Sequence, residues 1–403
     1  MSITSKVSES YSAVDLPVLP VPRAPRCPLA PPAEFANWRR EPGLQRAMFH
    51  GNPIWVVSRY QDIRAALADP RLSAKTIPDS MLPAGVGVIF ARTDDPEHHR
   101  LRRMLTSNFT FRRSEAMRPY IQEMVDHYLG EMIDKGPPAD LVHDYALPVP
   151  SLVIALLLGV PPEDLGIFQR ETTIGLDQKS TDEEKAQAMG TMFAYIQELV
   201  QRKQREPGDD LISRLITEYV ATGQTDLATT AMTSVIMMQA GHETTANMIS
   251  LGTVALLEHP EAFERLGQSD DPAVIANIVE ELMRYLTIVQ SQVDRVATED
   301  LTIGGQLVRA GEFVMMNLPA GNWDAEFVDN PESFDIDRNT RGHLGFGYGG
   351  HQCIGQNLAR VEMQVAFATL ARRLPALKLA ESPDALSFKE TDIYGMKELL
   401  VSW

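Results

Sequence analysis

A lone cysteine near the C-terminus stands among the residue types that a reactive thiolate needs. Cys353 lies in the run Phe346-Gly-Tyr-Gly-Gly-His-Gln-Cys-Ile-Gly355, immediately before a helical pattern that starts at Gln356. A helix N-terminus offers free N–H groups and a positive dipole end, which stabilise a thiolate, and glycines allow close approach to a flat macrocycle. The run therefore predicts a thiolate ligand for haem iron, with Phe346 against the ring and His351 donating to a propionate. A buried structural cysteine beside a glycine turn is the alternative interpretation.

Polar residues also interrupt a long apolar helical pattern. The segment from Thr225 to Glu258 has no proline, and as one helix it would span about 50 Å. Its flanks are apolar, yet its middle reads His242-Glu-Thr-Thr245. Polar groups inside a buried helix need a reason, although a helical threonine can simply bond a carbonyl one turn earlier and a glutamate can be solvated.

Together these runs resemble the cytochrome P-450 family, the haem-thiolate monooxygenases, in its soluble bacterial and actinobacterial type. The resemblance covers nearly the whole chain and implies haem b with Cys353 as the axial iron ligand, which is the known ligation in this family. In the oxygen-activating motif, Thr244 would hydrogen-bond the bound oxygen and Glu243 would relay protons. The further residues implied around the haem are Ala240 and Gly241, whose small size would leave room for dioxygen, and Phe346, Gly347, His351 and Gly355.

A glutamate and an arginine three residues apart match another family motif. Glu281 and Arg284 share a predicted helix face, and the resemblance implies that they form a buried structural clamp behind the haem. A surface pair of little energetic worth is the alternative. Ser333 occupies the position where the family often has a third arginine, so either Arg338 replaces it or the clamp lacks a third member.

Three further basic residues are candidates for binding the haem propionates. His98 and Arg102 lie four apart on a predicted helix, so both could reach one anion. The resemblance implies that this pair, Arg295 and His351 serve two carboxylates. The alternative is a basic helix face with one unrelated arginine.

Hydrophobic periodicity predicts a mainly α protein with a minor β component. The resemblance implies a single-domain cytochrome P-450-like fold with the long helix over the haem. We expect a Pro-rich N-terminal arm at residues 1–30 and one domain at 31–403, with a long functional loop at 74–92. Predicted helices are 60–69, 96–108, 117–135, 149–159, 163–176, 182–205, 209–219, 225–258, 273–287 and 354–373. Predicted strands are 53–57, 293–297, 301–303 and 313–316.

Composition limits the class of partner. The net charge of −17 argues against binding to nucleic acid or an anionic membrane. Two cysteines are too few for a disulfide scaffold and fit a reducing cytoplasm, and the N-terminus has neither a signal core nor a membrane span. We expect a cytoplasmic monomer. Because no flavin or iron–sulfur module is attached, electrons would come from ferredoxin and ferredoxin reductase.

The leading hypothesis is an O2-dependent monooxygenase that hydroxylates a hydrophobic small molecule, such as a secondary metabolite or xenobiotic. The alternatives are a nitric oxide reductase-type enzyme reduced directly by NAD(P)H and a non-catalytic haem- or ligand-binding protein. Retention of both Glu243 and Thr244 favours oxygen activation. The expected apolar substrate pocket comprises Val88, Ile236, Met237, Val289 and Ile393, each of which could equally belong to the core.

Overall fold

A computed structural model shows a helical protein with four small sheets among its described residues, which confirms the predicted mainly α class. The described residues are 16–24, 27–76, 90–176, 180–389 and 391–403. Most of the predicted functional loop, including Val88, lies outside the described residues. None of the helices in the described part of the chain combines the length and apolar character that crossing a lipid bilayer requires.

The helices follow the predicted pattern closely where the apolar period is long. In chain order they are α1 (Glu34–Arg40), α2 (Tyr60–Ala68), α3 (Glu97–Thr106), α4 (Phe111–Ala116), α5 (Arg118–Lys135), α6 (Pro148–Leu158), α7 (Leu165–Leu176), α8 (Asp182–Arg205), α9 (Leu211–Arg214), α10 (Leu227–Glu258), α11 (Pro260–Gln268), α12 (Pro272–Leu286), α13 (Leu318–Asn322) and α14 (Gln356–Arg373). The sequence missed α1, α4, α11 and α13, which are short. The predicted helix at 209–219 divides into α9 and a π-helical turn at Leu215–Val220.

The central helix is α10, with 32 residues. Asp226 begins it by accepting a hydrogen bond from the backbone N–H of Thr229. The helix contacts α6, α8 and α14, and most of its second half is buried. A Cβ on Gly252 would lie 2.4 Å from the ring of Phe367 in α14. A glycine is therefore required where these two helices cross closely.

The strands are β1 (Gln45–Phe49), β2 (Asn52–Val57), β3 (Leu72–Ser73), β4 (Ala139–Asp140), β5 (Asp294–Ala297), β6 (Leu301–Ile303), β7 (Gln306–Val308), β8 (Phe313–Met316), β9 (Lys378–Leu379), β10 (Ser387–Lys389), β11 (Gly395–Glu398) and β12 (Leu400–Ser402). The largest sheet has the order β1-β2-β8-β5-β3, in which only β2 and β8 are parallel. All four predicted strands are confirmed. The missed strands have two to five residues.

The described part of the N-terminal arm packs on the domain. Val18 forms a β-bridge with Met48, and the backbone N–H groups of Leu19 and Met48 donate to Met48 and Pro17 carbonyls at 2.8 Å each. Leu19 and Val21 are buried. The domain boundary at residue 30 stays a prediction.

Candidate active site

A cavity of about 300 Å³ lies between α10 and the segment that precedes α14. We call residues 343–355 the cysteine loop. Helix α10 contributes Ala240, Gly241 and Thr244 to the cavity, and the cysteine loop contributes Phe346 and Cys353 from the other side. The apolar lining and the few polar groups are typical of a site for a small molecule or cofactor.

Backbone geometry holds Cys353 at the base of this cavity. Its N–H donates to the Phe346 carbonyl at 2.8 Å, which closes the cysteine loop. Gly347 and Gly349 have φ angles of +71° and +74°, which side chains rarely adopt. At Gly349 a Cβ would also lie 2.7 Å from the carbonyl oxygen of Leu67. These two glycines therefore allow the loop both to turn and to approach α2.

The Cys353 side chain is exposed, but it faces the cavity instead of bulk water. Desolvation therefore raises the pKa of its thiol, while the Gly355 N–H and the positive charge of Arg102 act in the opposite direction. The predicted stabilisation by the helix end is present but does not outweigh burial. A metal cation at the sulfur would supply the missing positive charge.

A cluster of basic groups borders the cysteine loop. The rings of His98 and His351 are stacked, with centroids 3.8 Å apart. Burial, followed by the charges of His98 and Arg295, lowers the pKa of His351 to about 4. Burial and the charge of Arg102 likewise lower the pKa of His98, whose buried Nε2 has no hydrogen-bond partner among the described residues.

Among the described residues, the Asp95 carboxylate lies 3.5 Å from His98 Nδ1, but neither Arg102 nor Arg295 forms an ion pair. Arg102 donates to the Gln352 carbonyl at 2.6 Å, and Arg295 donates to the Asp294 carbonyl at 2.8 Å. Burial lowers the pKa of both guanidinium groups. An anion here would relieve the repulsion and pair the His98 Nε2 atom. The residues therefore fit a macrocycle that carries carboxylates.

The predicted clamp is completely buried. The Nε and Nη2 atoms of Arg284 donate to the two carboxylate oxygens of Glu281 at 2.7 and 2.8 Å, and both side chains are 0% exposed. The remaining guanidinium hydrogens reach the carbonyls of Asn322, Pro331 and Ser333. The surface-pair alternative is therefore wrong for this pair.

Arg338 is the third member of the clamp. Its Nη1 lies 3.3 Å from Glu281 Oε1, and its guanidinium also donates to the Ser333 hydroxyl and carbonyl. Ser333 therefore accepts hydrogen bonds from both Arg284 and Arg338, and Arg338 supplies the third side chain of the clamp.

A second ionic network beside the clamp was missed from the sequence. Glu280, next to Glu281 on α12, accepts from Arg360 at 2.6 Å and contacts His343 Nε2 at 3.1 Å. Burial opposes ionisation of Glu280, but these partners outweigh it and lower its pKa to about 2. The guanidinium of Arg360 lies 4.5 Å from the centre of the Phe346 ring. The network thus fixes both ends of the turn that leads to Cys353, and no local sequence signal links its distant members.

Asn322 connects the cysteine loop with the end of α12. Its side-chain Oδ1 accepts from the Leu344 N–H at 2.6 Å, and its side-chain Nδ2 donates to the Thr287 hydroxyl at 2.7 Å. The Nε1 atom of the neighbouring Trp323 donates to the Tyr285 carbonyl at 2.9 Å. Trp323 therefore packs on the end of α12.

The predicted acid and alcohol on α10 face different surroundings. Thr244 lines the cavity. Its hydroxyl donates to the Ala240 carbonyl at 2.6 Å, which is the alternative bond to a carbonyl one turn earlier. Glu243 does not line the cavity, and the Nζ atom of the buried Lys389 lies 3.7 Å from its carboxylate. The pair is therefore adjacent in sequence, with only the alcohol facing the cavity.

Two other residues of this run have structural roles. His242 Nε2 lies 2.9 Å from the Leu147 carbonyl, and burial lowers its pKa to about 4. A Cβ on Gly241 would lie 2.4 Å from Ile154 in α6. Gly241 therefore permits helix packing, in addition to the predicted space in the cavity.

The predicted substrate residues divide between the cavity and its support. Met237 and Val289 line the cavity, whereas Ile236 and Ile393 are not among its lining residues. Ile236 is one position, or about 100°, round the helix from Met237, and Ile393 forms a β-bridge with Val289. The lining residues missed from the sequence include Leu67, Phe109, Ile288 and Val293.

Known proteins resemble this chain over almost its whole length. A family model described as Cytochrome P450 matches residues 167–391. Cytochrome P450-SU2 of Streptomyces griseolus is 44% identical over 374 residues, which cover 91% of each chain. Cytochrome P450 GfsF of Streptomyces halstedii is 44% identical over 415 residues and 100% of each chain.

Solved structures agree with these relatives. The crystal structure of GfsF has a TM-score of 0.91 and covers 96% of this chain and 100% of its own. The mycinamicin VIII C21 methyl hydroxylase of Micromonospora griseorubida, solved with mycinamicin VIII bound, is 37% identical with a TM-score of 0.86, covering 96% and 100% of the two chains. The predicted fold, with its long central helix, is therefore confirmed.

Proposed function

Because the chain belongs to the cytochrome P450 family of haem-binding monooxygenases, we propose that it hydroxylates a hydrophobic small molecule in the cavity between α10 and the cysteine loop. One observation carries the proposal. Cys353 and Thr244 line the same cavity from opposite elements, a thiol from the loop and a hydroxyl from the central helix. An iron ligand and a proton-handling group are thus available to one enclosed ligand.

Cys353 would ligate the haem iron as its thiolate. Phe346, Gly347 and Gly355 would lie against the macrocycle, while His98, Arg102, Arg295 and His351 would hold its two carboxylates. The Glu281–Arg284–Arg338 clamp supports these residues from behind and has no direct contact with the cavity. When bound, the haem supplies the redox chemistry that activates dioxygen.

Thr244 and Glu243 would handle protons. The Thr244 hydroxyl oxygen has acceptor capacity beyond its bond to Ala240, so it can hold a hydrogen bond from a group in the cavity. Glu243, which is partly exposed beside Lys389, would pass protons from solvent to that hydroxyl. Such transfer requires the Glu243 carboxylate to turn from Lys389, whose Nζ lies 3.7 Å away, towards the cavity.

The ligand assignment is tested by the reduced carbon monoxide complex. Wild-type protein should show the red-shifted Soret band of thiolate ligation, and Cys353→His should bind haem but lose that band. Cys27→Ser is the matched control, because Cys27 lies outside the cavity. A Cys353→His protein that kept both the band and hydroxylase activity would refute the assignment.

The electron donor is proposed to be a ferredoxin that binds beside α4. Arg112 and Arg113 are exposed there and make no ion pair with described residues. The Asn357 side chain, in the first turn of α14, donates to the Phe109 carbonyl at 2.9 Å, which places α4 next to the cysteine loop. By contrast, Arg372 and Arg373 contact Asp270 and Asp126.

Charge reversal separates the two arginine pairs. Replacing Arg112 and Arg113 by glutamate should slow ferredoxin-driven reduction by about tenfold or more at low salt. The same change at Arg372 and Arg373 should have a smaller effect. Equal turnover of wild type and the Arg112/Arg113 variant would contradict the proposed docking site. Reduction by NADH without ferredoxin would instead favour the nitric oxide reductase alternative.

The proposed substrate class is a lipophilic metabolite or xenobiotic. The cavity is lined mainly by apolar side chains such as Met237, Val289 and Val293. Relatives named for their substrates include a vitamin D3 dihydroxylase and the mycinamicin hydroxylase. A ligand panel scored by the Soret shift, followed by turnover with a surrogate ferredoxin system, would identify the substrate and exclude simple sequestration.

A further inference from the structure

The N-terminal arm reaches the interior through one arginine. Arg23 is 6% exposed, although the arm around it is rich in proline. Its guanidinium donates to the Leu29 carbonyl at 2.8 Å, to the Leu286 carbonyl at 2.9 Å and to the Thr287 carbonyl at 3.3 Å. Burying a guanidinium costs desolvation free energy, which hydrogen bonds to these carbonyls must offset. The buried position of Arg23 therefore depends on these particular acceptors.

The same guanidinium also lies on an aromatic ring. The central carbon of Arg23 is 4.1 Å from the centre of the Tyr394 ring. Tyr394 is buried and its other neighbours include Phe388, whose ring is stacked on it at 5.4 Å. A cation over an aromatic face in a desolvated place contributes attraction as well as packing. Arg23 therefore contacts the end of α12 and Tyr394 at once.

These two contact points flank one wall of the cavity. We call residues 288–290 and 392–394 the paired wall. Tyr394 N–H donates to the Ile288 carbonyl at 2.8 Å, Gln290 N–H donates to the Asp392 carbonyl at 2.9 Å, and Val289 and Ile393 form a β-bridge. Ile288 and Val289 line the cavity. Arg23 thus contacts Thr287, which precedes residues 288–290, and Tyr394, which ends residues 392–394.

The first contact point is a residue in an unfavourable conformation. Thr287 has φ 34° and ψ 81°, in the left-handed region that a β-branched residue rarely enters. Such a conformation persists only when neighbouring contacts fix it. The Thr287 hydroxyl donates to the Arg284 carbonyl at 2.8 Å and accepts from Asn322 at 2.7 Å, while Arg23 donates to the Leu286 and Thr287 carbonyls. Arg23 is therefore one of the contacts that fix the turn leading to Ile288 and Val289, and it is the one supplied by the N-terminal arm.

We propose that Arg23 is a positioning residue for ligand selection: it holds Thr287 and Tyr394 so that the paired wall keeps its shape against a ligand. This inference rests on the proposed placing of substrate in the cavity. Arg23 does not line the cavity and touches no reacting group. Its loss should therefore alter the binding of ligands that reach the wall and spare those that do not.

Two azoles and hydrogen exchange test the proposal with Arg23→Met. Imidazole should bind the haem iron in the variant within about twofold of wild type, since it is too small to reach the wall. 4-Phenylimidazole should bind about tenfold more weakly. The amides of Gln290 and Tyr394 should exchange at least tenfold faster, without loss of protection elsewhere. Exchange does not require haem, so failure of the proposed function would appear separately, as absence of any Soret shift in wild type.

Arg46→Met is the matched control, because Arg46 stacks on Trp55 at the same 4.1 Å distance but binds Glu312 instead of the residues around the paired wall. It should change neither azole affinity nor exchange in the paired wall. If Arg23→Met fails to fold, Arg23→Lys keeps the charge but lacks the planar fork, and the same comparison applies to it. Unchanged exchange at Gln290 and Tyr394, unchanged 4-phenylimidazole affinity, or a uniform loss of protection would each overturn the proposal.

Discussion

The cysteine loop and the paired wall border the same cavity but are fixed by different kinds of contact. The Glu280 carboxylate holds the cysteine loop by binding His343 in the loop and Arg360 in α14. Asn322 adds a hydrogen bond to the loop backbone. The paired wall is held by two backbone hydrogen bonds, a β-bridge and the Arg23 contacts. The cysteine loop, which would hold the cofactor, is therefore fixed by several ionic and hydrogen-bonded contacts. The paired wall, which faces a ligand, depends on few contacts.

This difference predicts different consequences of mutation. Changes near the cysteine loop should cost stability and haem binding. Changes on the α10 and paired-wall side should alter coupling or ligand choice while the protein stays folded. Active sites commonly combine a fixed chemical centre with a more adaptable binding surface. The four predictions below test the comparison from the largest expected effect to the smallest.

The largest effect is expected at the clamp. Glu281→Gln would leave the Arg284 charge completely buried without its carboxylate, which should lower the free energy of unfolding by roughly 3–5 kcal/mol. Glu115→Gln is the matched control, since Glu115 and Arg118 have the same three-residue spacing and a 2.8 Å contact but are about one-third exposed. It should cost less than about 1 kcal/mol. Urea unfolding measures both, and equal costs would contradict the buried role of the clamp.

The second prediction concerns pH and Glu280. Its pKa is about 2 in the folded protein against an ordinary 4.5, so the fold favours the ionised carboxylate. The resulting stabilisation, on the order of 3 kcal/mol, is present at neutral pH and is lost as the pH falls from about 4.5 towards 2. Glu280→Gln should remove this part of the acid sensitivity. If the free energy of unfolding changes with pH equally in wild type and variant over that range, the network is not stabilising.

The third prediction moves to the α10 side of the cavity. Thr244→Ala removes the hydroxyl that faces the cavity, so the share of electrons lost as hydrogen peroxide should rise by on the order of tenfold. Stability and the carbon monoxide spectrum should stay close to those of wild type. Thr253→Ala removes a hydroxyl with the same local bond, to Ile249, farther along α10. If peroxide release rises equally in both variants, proton handling by Thr244 is wrong.

The smallest effect is expected from two neighbouring residues of α10. Met237→Leu changes the shape of the cavity lining at nearly constant volume, and 4-phenylimidazole affinity should change by up to about fivefold. Ile236→Leu, which alters a residue outside the lining, should leave the affinity within about twofold. Soret titration measures both. A larger response from Ile236 would mean that the lining has been assigned to the wrong face of the helix.

Much of the site could be predicted because its signals are local. The glycine-rich run around Cys353, the polar interruption at Glu243 and Thr244, and the spacing of Glu281 and Arg284 are each contained within a few residues. Long helices were predicted within about two residues at most ends, since apolar side chains recur with the helical period over many turns. The sequence therefore determined the family, its cofactor and the order of the main elements.

Only the tertiary structure decided which distant residues complete that site. Arg338 joins the clamp across 57 residues, Arg360 reaches Glu280 across 80, and Arg23 reaches Leu286 across 263. It also placed Met237 in the cavity lining and Ile236 outside it. Such choices depend on how elements pack and on which buried charge must find a partner, and no local pattern records either. The residues that could do the chemistry were therefore predictable from short runs of sequence, whereas the contacts that support their cavity depend on tertiary packing alone.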